Sequence, residues 1–379
     1  MTTGAKDLVH GAVAPGFEPL REEFEAVLRE EPDHAAQLAV YSRGGPVADL
    51  WGGPGMEEDS LIGVFSATKG AAYLTVALLV QRGVLVLDRE VAAYWPEFAA
   101  EGKGAVTLRE LLTHRAGVIG TPRGFSPAEV ADDAELARQL APQRPFWRPG
   151  AAFGYHSLTI GALAGEVVRR ATGVPLQQLY ERELREPTGA EFYLGLPEEL
   201  EPRVVSVLPP RPQPGAGQEA GDAPDSLAGI AANLHAAEPT SLVGLPNSRA
   251  VRAGGQASVG GVASARGLAR LYAGAVFGVA GQPPLLRPAV VAEFAQPHAV
   301  GTDLVLGTER AYGIGFMTGY RFLGAGAFGH DGAGGAMAFA DPRAGLAFGY
   351  VRRRVPTPNG AGPDAERLAR AARACALGR

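Results

Sequence analysis

The pattern of apolar and polar positions changes along the chain. Apolar residues recur at helical spacing within residues 17–28, which predicts an amphipathic helix. Residues 35–53 predict two short strands around an Arg-Gly-Gly-Pro turn, and an apolar helix begins near Ser66. The N-terminal part should therefore contain a helix, a strand pair and a second helix.

From about residue 80 to 205 the pattern is mostly helical. Thr107 stands at a capping position, and Gly173 stands where the helix predicted for residues 157–173 should end. Residues 208–224 are rich in Pro and Gly and have no periodicity. This predicts a long loop, and such loops often act as lids.

The last third predicts strands in residues 310–322, 326–342 and 344–355, followed by a C-terminal helix. Strands at both ends with helices between them predict an α+β fold. Residues 1–75 and 245–379 would form one domain, with a sheet built from both ends of the chain. Residues 76–244 would form a mostly helical inserted domain. There is no internal repeat.

Composition adds limits on function. The 379 residues are 46% hydrophobic and 20% charged, as in an ordinary globular protein, and this length suits two domains. The net charge of -5 gives no reason to expect a nucleic-acid partner. The single cysteine, Cys375, excludes an internal disulfide. No apolar run is long enough for a membrane span and the N-terminus lacks a signal-peptide layout, so we expect a cytoplasmic protein.

Ser66 and Lys69 carry the first candidate chemistry. Side chains three residues apart lie on the same face of a helix, so the lysine amine can reach the serine hydroxyl. A serine becomes a nucleophile when a neighbouring base takes its proton, and a lysine can be that base if burial lowers its pKa. The chain has three lysines and eleven serines, so chance predicts about 0.1 such pairs.

The pair has a simpler interpretation, in which Ser66 caps the helix and Lys69 extends into solvent. Two later segments shift the balance. Tyr155 precedes another predicted helix after a Pro-Gly turn, and His330 precedes a glycine cluster on a late strand. Each alone is compatible with core packing, but their order and spacing are hard to obtain by accident.

These segments resemble the serine β-lactamase and penicillin-binding-protein superfamily, specifically its class C-like branch, which includes the family VIII carboxylesterases. That branch carries Ser-x-x-Lys, Tyr-x-Asn or a variant, and Lys-Thr-Gly or His-x-Gly. Here the three motifs are Ser66 to Lys69, Tyr155-His156-Ser157 and His330-Asp331-Gly332. The resemblance covers roughly residues 20–355. It implies a class C β-lactamase-like fold, with an antiparallel sheet flanked by helices and a mostly helical domain.

The resemblance also implies roles for individual residues. Ser66 would attack a carbonyl, and Lys69 and Tyr155 would share the role of general base and then protonate the leaving group. If Tyr155 acts as a base, a lysine cation must stabilise its phenolate. The backbone N–H groups of Ser66 and Ala333 would hold the oxyanion, and Gly332 would allow close approach to the substrate.

Two departures from the family pattern bear on the substrate. Ser157 replaces the asparagine of Tyr-x-Asn, so an amide that contacts peptide-like substrates is missing. His330 replaces a lysine that helps to bind the substrate carboxylate, and histidine is largely neutral at pH 7. Asp331 would repel anions if it faces the cleft. These changes favour a neutral ester or amide.

Other signals are weaker. Trp147 could line the acyl pocket or belong to the core. We expect a structural role for His114 and an orientation away from the site for His156. No histidine pair has metal-ligand spacing, and there is no Gly-x-Ser-x-Gly elbow or P-loop, so we expect no metal and no cofactor.

The leading hypothesis is a serine carboxylesterase that acts on a small or medium neutral ester through an acyl-Ser66 intermediate. An acyltransferase that passes the acyl group to an amine or alcohol uses the same chemistry, if the acyl-enzyme is shielded from water. A β-lactamase or D-Ala-D-Ala peptidase is a further alternative. A binding protein that has lost the reaction would be a different class of function.

Overall fold

The computed structural model describes residues 8–31, 33–212 and 222–378. Its strands are β1 Val9–Val13, β2 Ala36–Ser42, β3 Gly45–Gly52, β4 Ile62–Gly63, β5 Phe192–Tyr193, β6 Val262–Ala263, β7 Ala299–Thr302, β8 Glu309–Tyr312, β9 Phe328–Asp331, β10 Met337–Asp341 and β11 Leu346–Arg352. The prediction of strands near both ends of the chain is confirmed.

The α-helices lie mostly between these two groups of strands. They are α1 Glu18–Glu30, α2 Thr68–Gln81, α3 Leu108–Leu112, α4 Pro127–Val130, α5 Asp133–Leu140, α6 Ile160–Thr172, α7 Leu176–Tyr180, α8 Glu186–Thr188, α9 Leu227–Ala231, α10 Gly244–Asn247, α11 Arg249–Gly254, α12 Ala265–Val276, α13 Pro288–Ala295 and α14 Pro363–Ala376. Short 3-10 turns cover Phe65–Ala67, Val91–Ala93, Pro96–Gly102 and Glu198–Arg203, and a π-helical turn covers Glu181–Arg185.

Six strands form the main sheet, in the order β1-β3-β2-β11-β10-β9. All neighbouring strands are antiparallel. In β2, Leu38 and Val40 belong to the core shared with α1 and α14, while Ala39 belongs to the core on the side of α2 and α12. Because successive side chains point to opposite faces, a strand covered on both faces is apolar throughout. The predicted α+β fold with an antiparallel sheet is confirmed.

Local sequence signals set several helix ends. The Thr107 hydroxyl accepts the backbone N–H of Glu110, whose carboxylate accepts the N–H of Thr107, and this reciprocal cap starts α3. Gly173 ends α6 in a left-handed conformation, with φ of 76°. Both signals were read correctly from the sequence.

Helix α2 is buried on every side. All residues from Thr68 to Leu79 are buried, and their surroundings are apolar. A helix that is apolar all round belongs in the interior of a protein. Lys69 is therefore held inside the protein by the apolar residues that follow it.

Three predictions were less accurate or fall outside the described residues. A strand was predicted for residues 310–322, but the strand in the structure is Glu309–Tyr312. It ends early because the chain turns at Gly315, which has a positive φ of 82°. Helix α6 begins at Ile160 rather than near residue 157. The Pro/Gly-rich segment 208–224 is described only at its two ends, since residues 213–221 lie outside the described residues. Within the described ranges, no helix is long and apolar enough to cross a membrane.

Candidate active site

Ser66 lies where a short strand turns into the central helix. Strand β4 ends at Gly63, a 3-10 turn covers Phe65–Ala67, and α2 begins at Thr68. Phe65 has a positive φ of 50°, a strained conformation of the kind that occurs at functional sites. This turn places Ser66 at a helix start, where backbone N–H groups have no partner inside the helix.

The Lys69 amine is within hydrogen-bond distance of two oxygen atoms. Its Nζ is 3.1 Å from Ser66 Oγ and 3.0 Å from the carbonyl oxygen of Ser258. Burial lowers the pKa of Lys69 well below its usual value, and the Asp331 carboxylate acts in the opposite direction. The neutral amine that burial favours can take the proton of the Ser66 hydroxyl.

The Tyr155 side chain approaches this pair from the loop before α6. Lys69 Nζ lies 4.9 Å from the centre of the tyrosine ring. Burial raises the pKa of Tyr155; the nearby Ser66 hydroxyl opposes this effect, and the carboxylates of Asp331 and Asp303 add to it. The tyrosine is therefore protonated at rest and suited to donate a proton. If Tyr155 acted as a base, it would need to be a phenolate stabilised by a lysine cation. Burial disfavours that phenolate, because it raises the pKa of Tyr155.

His330 lies on β9 next to the tyrosine hydroxyl. Its Nε2 is 3.5 Å from Tyr155 Oη, and its Nδ1 is 2.7 Å from the carbonyl oxygen of Asp331. Since a carbonyl only accepts, Nδ1 carries the proton and Nε2 is left to accept from the tyrosine. Burial, aided by the charge of Lys69, lowers the pKa of His330 to about 3. The position of the family's lysine is thus occupied by a neutral ring.

Two glycines bring the turn after β9 against the start of the serine helix. A Cβ on Gly332 would lie 2.3 Å from the carbonyl oxygen of Val64, and one on Gly334 would lie 2.2 Å from the ring of Phe65. Only glycine fits such approaches. Between them, the N–H of Ala333 has no hydrogen-bond partner in the described part of the chain. It is available, with the N–H of Ser66, to bind an oxyanion.

The cleft above these groups has a volume of about 250 Å³. Its apolar wall is formed by Ala228, Ala231, Ala232, Leu242, Val305, Leu306 and Met317. Its polar lining comprises Ser66, Tyr155, Ser157, Asp222, Arg310, Asp331 and Asn359, together with Gly332, Ala333 and Gly360. The cleft therefore combines a nucleophile with a short apolar wall.

The predicted site residues fall into two groups. Ser66, Tyr155, Ser157, Asp331, Gly332 and Ala333 line the cleft, while Lys69 and His330 are fully buried beneath its surface. Trp147 is not among the lining residues. It packs against the ring of His156, with centroids 5.7 Å apart, and borders Gly154.

His114 and His156 support the tyrosine loop from inside. The His156 ring accepts the backbone N–H of Val118 through Nε2 and donates from Nδ1 to the carbonyl oxygen of Gly154. Nδ1 of His114 accepts the backbone N–H of His156. Both rings are fully buried. They point away from the cleft, and both have lowered pKa values because of burial, to about 4 for His156.

Sequence reasoning missed three contributors to the site. The carbonyl of Ser258 binds the lysine amine, Asp303 binds the backbone of Tyr155, and Arg310 brings a guanidinium to the cleft lining. Ser258 lies in the segment GGQASVGG, whose resemblance to the family was the single available signal. A backbone carbonyl and a partner 148 positions away leave no trace in local spacing.

Comparisons with known proteins agree with this geometry. The family model described as beta-lactamase matches residues 24–373. EstA from Arthrobacter nitroguajacolicus superposes with a TM-score of 0.91 at 44% identity, covering 97% of this chain and 99% of that chain. A family VIII carboxylesterase superposes with a TM-score of 0.87 at 33% identity and the same coverage. Esterase/beta-lactamase LipL of Mycobacterium tuberculosis is 30% identical, over 92% of this chain and 84% of LipL.

The chain belongs to the beta-lactamase family. The match covers most of the chain, so the predicted superfamily is confirmed. Two of these relatives are named carboxylesterase or esterase, in agreement with the predicted activity. In this member of the beta-lactamase family, a neutral His330 ring lies next to the tyrosine hydroxyl and the short Ser157 side chain lines the cleft.

Proposed function

We propose that the protein is a serine carboxylesterase that forms an acyl-enzyme on Ser66. The observation that carries this proposal is the contact of 3.1 Å between the buried Lys69 amine and Ser66 Oγ. A serine hydroxyl next to a buried amine that can take its proton is an activated nucleophile. The names of the family VIII carboxylesterase and of Esterase/beta-lactamase LipL support the choice of an ester as substrate.

Acylation begins when Lys69 takes the Ser66 proton and Oγ bonds to the ester carbonyl carbon. The oxyanion formed accepts the N–H groups of Ser66 and Ala333. The bond to the alkoxide then breaks, and Tyr155 gives its hydroxyl proton to the leaving oxygen. The proton held by Lys69 passes to the tyrosine oxygen, which restores both groups. Each step uses atoms already within the site.

In deacylation Lys69 is again the base, and water takes the part that the serine hydroxyl had in acylation. Water replaces the departed alcohol and gives a proton to the Lys69 amine as its oxygen bonds to the acyl carbon. The bond between that carbon and Ser66 Oγ breaks, and Oγ recovers its proton from the lysine. An amine or alcohol in place of water would make the protein an acyltransferase. Residues 213–221 of the predicted lid lie outside the described residues, so its part in excluding water stays a prediction of the sequence.

The cleft favours a small or medium neutral ester. A volume of about 250 Å³ with an apolar wall suits a short acyl chain. Two carboxylates, Asp222 and Asp331, and one guanidinium, Arg310, give the lining no excess positive charge. His330 is neutral because burial lowers its pKa to about 3. A carboxylate-bearing β-lactam therefore finds no cation at position 330 to anchor it.

Intact-mass measurement of the protein after exposure to a panel of esters tests the proposal. We expect an adduct with the mass of the acyl group, located on Ser66 by peptide mapping and missing in Ser66→Ala. No adduct with any ester, together with unchanged ester turnover in Ser66→Ala, would rule out the proposed function.

The same panel separates the alternatives. Added amines or alcohols would divert the acyl group if the protein is a transferase, and a chromogenic cephalosporin turned over as fast as a p-nitrophenyl ester would indicate a β-lactamase. Cytoplasmic location stays a prediction of the sequence, which cell fractionation would test.

A further inference from the structure

A buried carboxylate lies behind Tyr155, at the tip of the β7–β8 hairpin. Asp303 is fully buried. Its Oδ1 accepts the backbone N–H of Tyr155 at 3.1 Å, of Val305 at 2.8 Å and of Leu306 at 2.9 Å, and its Oδ2 accepts the Tyr312 hydroxyl at 3.1 Å. One side chain thus joins the hairpin tip to the tyrosine motif.

No lysine, arginine or histidine forms an ion pair with this carboxylate within the part of the chain that the structure describes. Burying an unpaired carboxylate is costly unless hydrogen bonds replace the lost water. Four donors converge here, and neutral side chains could not accept all of them. The Asp303 carboxylate therefore keeps its four hydrogen bonds when the hairpin and the tyrosine loop stay in this arrangement, and it loses some of them when either one moves.

We propose that Asp303 is a positioning residue for Tyr155. It holds the tyrosine in two ways. It binds the backbone N–H of Tyr155 directly, and it binds the hydroxyl of Tyr312, whose ring lies parallel to the Tyr155 ring, with an interplanar angle of 4° and centroids 6.2 Å apart. A second backbone contact docks the hairpin on the same loop, from the N–H of Leu304 to the carbonyl of Phe153 at 3.0 Å.

The same carboxylate connects the acyl pocket to the proton donor. Val305 and Leu306, whose N–H groups it accepts, also form part of the apolar wall of the cleft. Their position relative to Tyr155 is set by one oxygen atom, Oδ1. An acyl chain that contacts this wall is thereby placed at a defined distance from the tyrosine hydroxyl.

This inference rests on the proposed function, in which Tyr155 protonates the leaving group. Asp303 makes no hydrogen bond to Ser66 or Lys69, so its loss should spare the nucleophile and disturb the proton donor. A p-nitrophenolate leaves without a proton, whereas an ethoxide needs one. Loss of Asp303 should therefore reduce kcat/KM for ethyl esters much more than for p-nitrophenyl esters of the same acid.

The test compares Asp303→Asn with Tyr155→Phe and with Glu309→Gln. Glu309 lies on the same hairpin, and its carboxylate accepts the Thr302 hydroxyl and no other side-chain donor among the described residues, so this control should behave as the wild type. We expect Asp303→Asn to lose at least about tenfold more kcat/KM with the ethyl ester than with the p-nitrophenyl ester. Tyr155→Phe should have the same selective loss. Labelling of Ser66 by a fluorophosphonate, whose leaving fluoride needs little proton donation, should be largely kept.

Equal losses with both esters, or no loss with either, would overturn the inference. If Asp303→Asn does not fold, Tyr312→Phe replaces it, since that variant removes one of the four hydrogen bonds and keeps the ring. Its expected result is a smaller loss with the same preference for the ethyl ester. If kcat/KM falls equally with both esters in a variant that still forms acyl-Ser66, Asp303 is not a positioning residue for Tyr155. The proposed function would still stand.

Discussion

The Lys69 amine and the Ser66 hydroxyl face each other at 3.1 Å, and no carboxylate is hydrogen-bonded to either in the residues that the structure covers. In the proposed mechanism the amine itself accepts the serine proton. Its other contact, the Ser258 carbonyl, orients it without supplying a base.

Replacing Lys69 with arginine should abolish proton transfer, because a guanidinium stays protonated in proteins. We expect kcat/KM to fall by about 10³-fold, and the rate of fluorophosphonate labelling of Ser66 to fall with it. Lys103→Arg is the control, since Lys103 is also buried but binds the carbonyls of Ala100 and Gln143 away from the site. Retention of a tenth of wild-type activity in Lys69→Arg would exclude the lysine as base.

The acid limb of the pH profile should depend on Asp331. Lys69 must be neutral to act, so kcat/KM falls as the pH drops through the lysine pKa. The Asp331 carboxylate raises that pKa against the effect of burial. Asp331→Asn should therefore move the limb to lower pH, because the lysine loses the carboxylate that raises its pKa. Asp222→Asn, which changes a cleft carboxylate that does not act on the lysine, should leave the limb in place. A shift to higher pH would contradict the assignment.

Charge on the acyl chain should reduce activity. We expect kcat/KM for the p-nitrophenyl monoester of succinic acid to be about tenfold below that for p-nitrophenyl butyrate, because Asp222 and Asp331 outnumber Arg310 in the lining. Arg310→Gln should widen the difference and Asp222→Asn should narrow it. Equal rates for the two esters in the wild type would show that the cleft does not select neutral substrates.

The apolar wall should set the preferred chain length. Ala232 and Leu242 both line the cleft. Ala232→Leu should shift the optimum in a series of p-nitrophenyl esters towards shorter acyl chains, and Leu242→Ala should shift it towards longer ones. Each change alters one side chain by a few methylene groups, and each methylene is worth about 0.8 kcal/mol of burial. An unchanged optimum in both variants would place the acyl chain elsewhere.

Gly332 should tolerate no side chain. An alanine Cβ would lie 2.3 Å from the carbonyl oxygen of Val64, which is backbone and cannot move aside. Gly332→Ala should therefore displace the Ala333 N–H and lower kcat by about 10²-fold. Gly165→Ala, inside α6 with its nearest atom 3.9 Å away, should keep activity and stabilise the fold by about 1 kcal/mol. Full activity in Gly332→Ala would argue against this oxyanion site.

Local signals were enough to predict much of the fold and to single out Ser66 and Lys69 as a candidate pair. The Thr107 cap, the Gly173 helix end and the apolar pattern of β2 each depend on residues a few positions apart. The spacing of Ser66 and Lys69 works in the same way, because three residues of helix bring the two side chains together. Short-range geometry of this kind is set by backbone dimensions and is visible in the sequence.

Only the tertiary structure decided the state of the site. The strand order joins β2 to β11 across three hundred residues, and the Asp303 carboxylate meets Tyr155 from 148 positions away. Burial lowers the pKa of Lys69 and raises the pKa of Tyr155. Burial and distant contacts arise when separate segments pack together, so no local pattern encodes them. The sequence determined which residues could react, and packing determined which of them holds the proton.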